Sequence, residues 1–110
     1  MKIDVEYLPE ASEFMLAIDK AAAKKLAYNV GKVCSGIKDK EIFKKLEDSD
    51  IWEFRALHGG NCYRLLSFWD TRTETLIVAT HGMVKKSQKT PKKEIAKAEA
   101  IRKRYFDDNK

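Results

Sequence analysis

Apolar and polar positions alternate most clearly from Ile51 to Asp70. Trp52, Phe54 and Ala56 fall on one side of a run ending at His58, with Glu53, Arg55 and Leu57 on the other. This period of two predicts a strand over 51–58 and another over 62–70. Gly59-Gly60-Asn61 tolerates positive φ and predicts the hairpin turn between them. Thr71-Arg72-Thr73 predicts a second turn, leading into a strand over 74–81. Upstream, Ile3, Val5 and Tyr7 alternate in a first strand that Pro9 ends. From Pro9 to Val33 the period changes. Phe14, Met15, Ile18, Ala22, Leu26 and Val33 lie in a stripe about 120° wide, which predicts a helix weakened at its end by Gly31 and Gly36. Ile42, Phe43 and Leu46 predict a short second helix over 39–46, followed by the polar turn Asp48-Ser49-Asp50. Near the end, Thr90 suits an N-cap and Pro91 a first helical position. The last helix is expected to run to about Tyr105, with Ile95, Ala98, Ile101, Tyr105 and Phe106 on one arc. The order β-α-α-β-β-β-α predicts a compact α+β domain, a mostly antiparallel twisted sheet packed by helices.

Composition narrows this picture. The 110 residues suit a single domain, 1–110, and 44% hydrophobic content with 10% aromatics supports one modest core. Met1-Lys2-Ile3-Asp4-Val5 has no apolar signal core and no run approaches the roughly 20 apolar residues that span a bilayer, so a cytoplasmic protein without membrane contact is expected. Cys34 and Cys62 fall in different predicted elements with no metal-ligand spacing to His58 or His81, so reduced thiols, no metal and no cofactor are expected.

Charge is uneven. From Met83 to Arg104 there are nine Lys and Arg against Glu94 and Glu99, a balance of +7; the whole chain is +5, so the remainder nets −2 (5 − 7). A basic segment opening a helix suits a polyanion such as RNA.

Arg64 stands mid-strand in Tyr63-Arg64-Leu65-Leu66. An unpaired buried charge is costly, so two readings are open: a salt bridge to Glu53 across the hairpin, or an anion-binding arginine. Arg55 has the same two readings. Lys85, Lys86 and Lys89 are either a solvated run or a set of phosphate contacts beside a helix start. Thr90 reads as a cap rather than a catalytic hydroxyl. Arg102, at the edge of the apolar arc, reaches toward the face of Arg64 or snorkels. His58 and His81 are acid–base candidates, with His81 closer to the lysines. Core packing is the default for Tyr105.

Ile51-Trp52-Glu53-Phe54-Arg55, Tyr63-Arg64-Leu65-Leu66 and His81-Gly82-Met83-Val84-Lys85-Lys86-Ser87-Gln88-Lys89-Thr90-Pro91, with Glu94-Ile95 and Ala98, resemble the phage-derived HigB-like toxins. These are the gene-product-forty-nine-like branch of the RelE/ParE toxin superfamily. The resemblance covers about half the chain. It implies a RelE-like fold, a type II toxin–antitoxin module, a helix-turn-helix (HigA-like) antitoxin partner, and ribosome-dependent mRNA endonucleolysis in which the RNA supplies its own 2′-hydroxyl. It implies Arg64 at the scissile phosphate, Lys85 and Lys86 in a basic loop that contacts phosphate and aids proton transfer, and Arg55 approaching the same face; from the residues themselves His81 joins the catalytic candidates and Lys89 and Arg102 the RNA- or ribosome-binding ones. The proton carrier stays open among a lysine, His81 and a ribosomal group. Met83 stands where many members carry an aromatic residue. A ParE-like DNA gyrase inhibitor without catalysis of its own is the alternative, and an inert binding module the third reading.

Overall fold

Among the described residues the chain forms β1 (Asp4–Tyr7), α1 (Pro9–Ala17), α2 (Lys20–Cys34), β2 (Phe43–Lys45), β3 (Trp52–His58), β4 (Asn61–Asp70), β5 (Leu76–Lys85) and α3 (Lys92–Asp108). The structure is a computed structural model and describes residues 2–87 and 89–108; Gln88 of the basic motif lies outside the described residues. All five strands form one sheet in the order β1-β5-β4-β3-β2. β1 runs parallel to β5, and the other neighbours are antiparallel.

The sheet is covered on both faces. Phe54, Ala56, Leu65, Ile77 and Ala79 pack against Ala11 of α1 and Ala22, Leu26, Val30 and Val33 of α2. On the opposite face Leu66, Phe68 and Val78 pack with Ile51 and Leu46 against Ala98 of α3, joined by Ile95, Tyr105 and Phe106. The two alternating sets of each strand therefore face different helices, which is why the central strands are buried almost throughout.

The hairpin of β3 and β4 turns at Gly59 and Gly60, both at positive φ (56° and 79°), as a two-residue turn requires. A bulge sits between β4 and β5: Leu66 opposes His81 and Ser67 opposes Ala79, which leaves Thr80 as the extra residue. A one-residue insertion reverses the alternation beyond it. Val78 before the bulge and Met83 after it consequently both join the α3 face, and so does His81.

Four expectations need correction. The helix expected over 9–33 is two helices. Ile18 is extended and the Asp19 side chain accepts from Ala22 N at 3.1 Å, starting α2 afresh. The short helix expected over 39–46 is the edge strand β2. Its apolar residues serve opposite faces, Phe43 against Phe54 (4.3 Å between ring centroids) and Leu46 in the α3 core, and a helix cannot divide them so. The third long strand does not stop near Gly82 but continues to Lys85. Gly82 is a point of close approach: a Cβ there would lie 2.1 Å from Phe14 Cδ2, so the ring occupies the space a side chain would take. Finally, α3 starts at Lys92 with the Pro91 carbonyl accepting from Glu94 N and Ile95 N, so Pro91 holds the cap position expected of Thr90, whose hydroxyl donates to Glu53.

Candidate nucleic-acid interface

The strand register builds a charged patch on the α3 face. Arg55 and Arg64 are direct cross-strand partners, and Lys44 opposes Glu53 one step along. Side chains of opposed residues share a face, so Lys44, Glu53, Arg55 and Arg64 all lie on it, with Leu57, Cys62 and Lys85 one step further toward the hairpin. Two guanidiniums placed opposite one another repel, and one carboxylate between them offsets this. Glu53 Oε1 lies 3.3 Å from Arg64 Nε, and Glu53 Oε2 lies 3.4 Å from Arg55 Nε. Glu53 and Arg64 are both fully buried. One carboxylate against two guanidiniums leaves the trio with a surplus positive charge.

Arg64 has further commitments. Its Nη2 donates to the Ser87 carbonyl at 2.6 Å, tying the end of β5 down to the sheet. Its Nη1 is buried and has no hydrogen-bond partner among the described residues. Such a group is expensive unless something polar completes it. Thr90 donates to Glu53 Oε1, so the segment between β5 and α3 is held at both ends, by Ser87 on Arg64 and Thr90 on Glu53. Arg55 Nη2 reaches Cys62 Sγ at 3.6 Å. Lys85, Lys86 and Lys89 stand exposed around this segment.

Other candidates sit elsewhere. His81 is nearly buried under α3, with Nδ1 2.9 Å from the Thr80 hydroxyl and Nε2 3.1 Å from Glu94 Oε1. Burial lowers its pKa below the ordinary 6.5, against the opposing pull of Glu94. Both ring nitrogens are thus engaged inside the protein. Arg102 does not reach Arg64: it lies 3.8 Å from Asp50 Oδ2 and stacks over Phe106 at 5.2 Å, which is the snorkelling reading. His58 pairs with Asp19 at 3.3 Å on the other side of the hairpin. Tyr105 donates to Asp70 Oδ2 at 2.9 Å, six residues or about 20 Å along β4 from Arg64. Cys34 and Cys62 are free thiols, and among the described residues no helix is long and apolar enough to cross a membrane.

Sequence reasoning missed Glu53 as the hub between the two arginines and Thr90 as its partner. The Glu53-Phe54-Arg55 alternation signals a shared face for Glu53 and Arg55, but only the register adds Arg64.

The sequence matches the profile of the phage-derived protein Gp49-like family over residues 13–103. The chain belongs to that family. Gp49-like proteins are a branch of the RelE/HigB-like toxins, as the motifs suggested. No curated protein sequence matches this Gp49-like chain significantly. Its fold is that of RelE. The free state of an E. coli toxin RelE mutant with two arginines changed to alanine aligns with a TM-score of 0.65 at 14% identity, covering 93% of this chain and 98% of that one. RelE in the intact E. coli RelBE toxin–antitoxin complex gives 0.56 at 12% identity, covering 81% and 100%. The archaeal RelE–RelB complex from Pyrococcus horikoshii OT3 gives 0.50 at 16% identity, with the same coverage. At such identities the likeness shows the fold, and the chemistry rests on this chain's own residues.

Proposed function

We propose that this Gp49-like protein is the toxin of a type II toxin–antitoxin pair and that it cuts mRNA on the ribosome. The observation that carries the reading is Arg64, a buried guanidinium with an open Nη1 beside a second arginine and exposed lysines. That arrangement suits one phosphate of a polyanion. Because Arg64 is fully buried, RNA engages it as the Ser87 carbonyl gives way. A charged phosphate oxygen is the stronger acceptor, and two of them match the Nη1–Nη2 fork.

In the reaction the RNA 2′-oxygen attacks the adjacent phosphorus and the bond to the 5′-oxygen breaks. The products are a 2′,3′-cyclic phosphate and a 5′-hydroxyl. Arg64 stabilises the charge that grows on the non-bridging oxygens, with Arg55 supporting it from the next strand. Lys85, Lys86 and Lys89 hold neighbouring phosphates. The buried, doubly bonded His81 makes a lysine or a ribosomal group the better proton carrier. RelE is held by RelB in the solved complexes, which supports an antitoxin partner for this chain; a helix-turn-helix protein is the form we propose.

The test is a purified-component translation reaction with mRNA ends mapped by primer extension. Cuts that require ribosomes and vanish with Arg64→Ala, the variant remaining folded, are expected. Intact mRNA with normal protein synthesis defeats the reading and directs attention to the gyrase alternative.

A further inference from the structure

A second feature of the same face is a cleft of about 530 Å³ between β2 and the start of α3, lined by Lys44, Leu46, Glu47, Asp48, Lys89, Thr90, Lys92 and Ile95. Thr90 is the partition: on one side it bonds Glu53 and through it Arg64, and on the other it forms part of the cleft wall. The lining has three kinds of chemistry. Leu46 and Ile95 give an apolar floor; Lys44, Lys89 and Lys92 give cationic walls; Glu47 and Asp48 stand on the turn after β2. Among the described residues none of these five charged side chains has an ion-pair partner. Opposite charges line one cleft yet stay apart, so both signs remain available to a ligand.

The turn holding the two acids is stiff. Leu46 N donates to Ile51 O at 2.8 Å, and the Ser49 hydroxyl donates to Leu46 O at 3.0 Å while accepting from Ile51 N at 3.1 Å. Asp48 sits at φ 55°, a conformation that Asp and Asn tolerate better than other side chains.

We propose that this cleft holds the nucleotide adjoining the cleaved linkage, and that Glu47 and Asp48 select its base. The proposal rests on the RNA-cutting reading and adds a specificity subsite to it. A nucleotide supplies each complement: phosphate for the lysines, a flat base for the apolar floor, and an exocyclic amino group for a carboxylate. The volume is within the range of small-ligand sites. Cytosine, adenine and guanine carry the amino group and uracil does not, so the cleft discriminates against uridine.

The test uses the full chain and ribosomes programmed with mRNAs of varied sequence, with cut positions counted for the wild type, Glu47→Ala/Asp48→Asn and Lys44→Ala/Lys92→Ala. Expected are a depletion of uridine at one position beside the wild-type cut, a relaxation of that depletion by roughly tenfold in the acid-less variant, and slower cutting at all sites with a shallower salt dependence in the lysine variant. These substitutions alter side chains without ion-pair partners, and an unchanged thermal midpoint verifies the fold. If the wild type cuts while the acid-less variant keeps the same sequence distribution, the subsite is wrong and the nuclease reading stands. If the wild type does not cut at all, both fall together.

Discussion

Two carboxylates on the sheet meet arginines on the α3 face, and they are built differently. Asp70, at the far end of β4, has every need met. Arg72 grips it with Nε at 3.0 Å from Oδ1 and Nη2 at 2.7 Å from Oδ2, Arg72 N adds a third bond at 3.0 Å, and Tyr105 adds a fourth. The same guanidinium covers the rings of Tyr105 and Phe106 at 5.6 and 5.3 Å. These contacts, Arg72 above all, hold the Asp70 carboxyl far below its ordinary 3.8. Glu53 instead faces two arginines through single longer contacts of 3.3 and 3.4 Å, and Arg64 Nη1 is left over. The satisfied cluster fastens the end of α3. The incompletely satisfied one keeps a buried guanidinium nitrogen unmatched, and it is this shortfall on which the proposed phosphate contact draws.

This contrast is open to attack by mutation. Arg64→Lys keeps the charge and removes the fork; we expect mRNA cutting to fall by about 100-fold or more, scored by primer extension. Arg72→Lys is the matched control, expected to lower the thermal midpoint while cutting persists. Equal loss of activity in both would erase the distinction. Glu53→Ala leaves two adjacent guanidiniums without their shared carboxylate, and we expect a loss of about 3–5 kcal/mol in urea unfolding. Little change there would mean that Glu53 is dispensable for the fold.

The pH dependence separates the two ends more gently. His81 titrates below 6.5 in the folded chain, so unfolded protein takes up the proton first. Its contribution is intact above pH 6.5 and declines as pH falls below it, by at most about 1.4 kcal/mol per unit. His81→Gln should flatten that slope. Asp70 acts lower: its folded pKa lies beneath 3.8, so its contribution is intact above that pH and is lost on acidification. Asp70→Asn should remove that acid-range slope and leave the one set by His81. Smallest of all, Tyr105→Phe deletes one hydrogen bond to Asp70 and should cost about 1 kcal/mol with cutting unchanged.

The central hairpin, its turn and the last helix were legible because period and punctuation agree there. Phe43 was not. Its neighbours Ile42 and Leu46 fit a helical spacing, and only stacking on Phe54 and Trp52 (4.9 Å) turns the segment into an edge strand. The break before Asp19 was concealed by a stripe that passes through it. At the site, a bridge between Arg64 and Glu53 was foreseen as one of two readings and is present. That it coexists with an open Nη1 depends on register and on the β5–α3 segment, which no local pattern encodes. The bulge at Thr80 likewise set the side of His81.

The pairing of β1 with β5 has a consequence for synthesis. Asp4 is made well before its partner Leu76, with two helices and three strands between them. Phe14 of α1 likewise waits for Gly82. The first two helices therefore have no finished sheet to rest on until the last strand leaves the ribosome, and parallel closure over so long a loop is slow. A chain with the proposed toxicity would become competent only once β5 has joined the sheet, an interval in which another protein has time to reach it first.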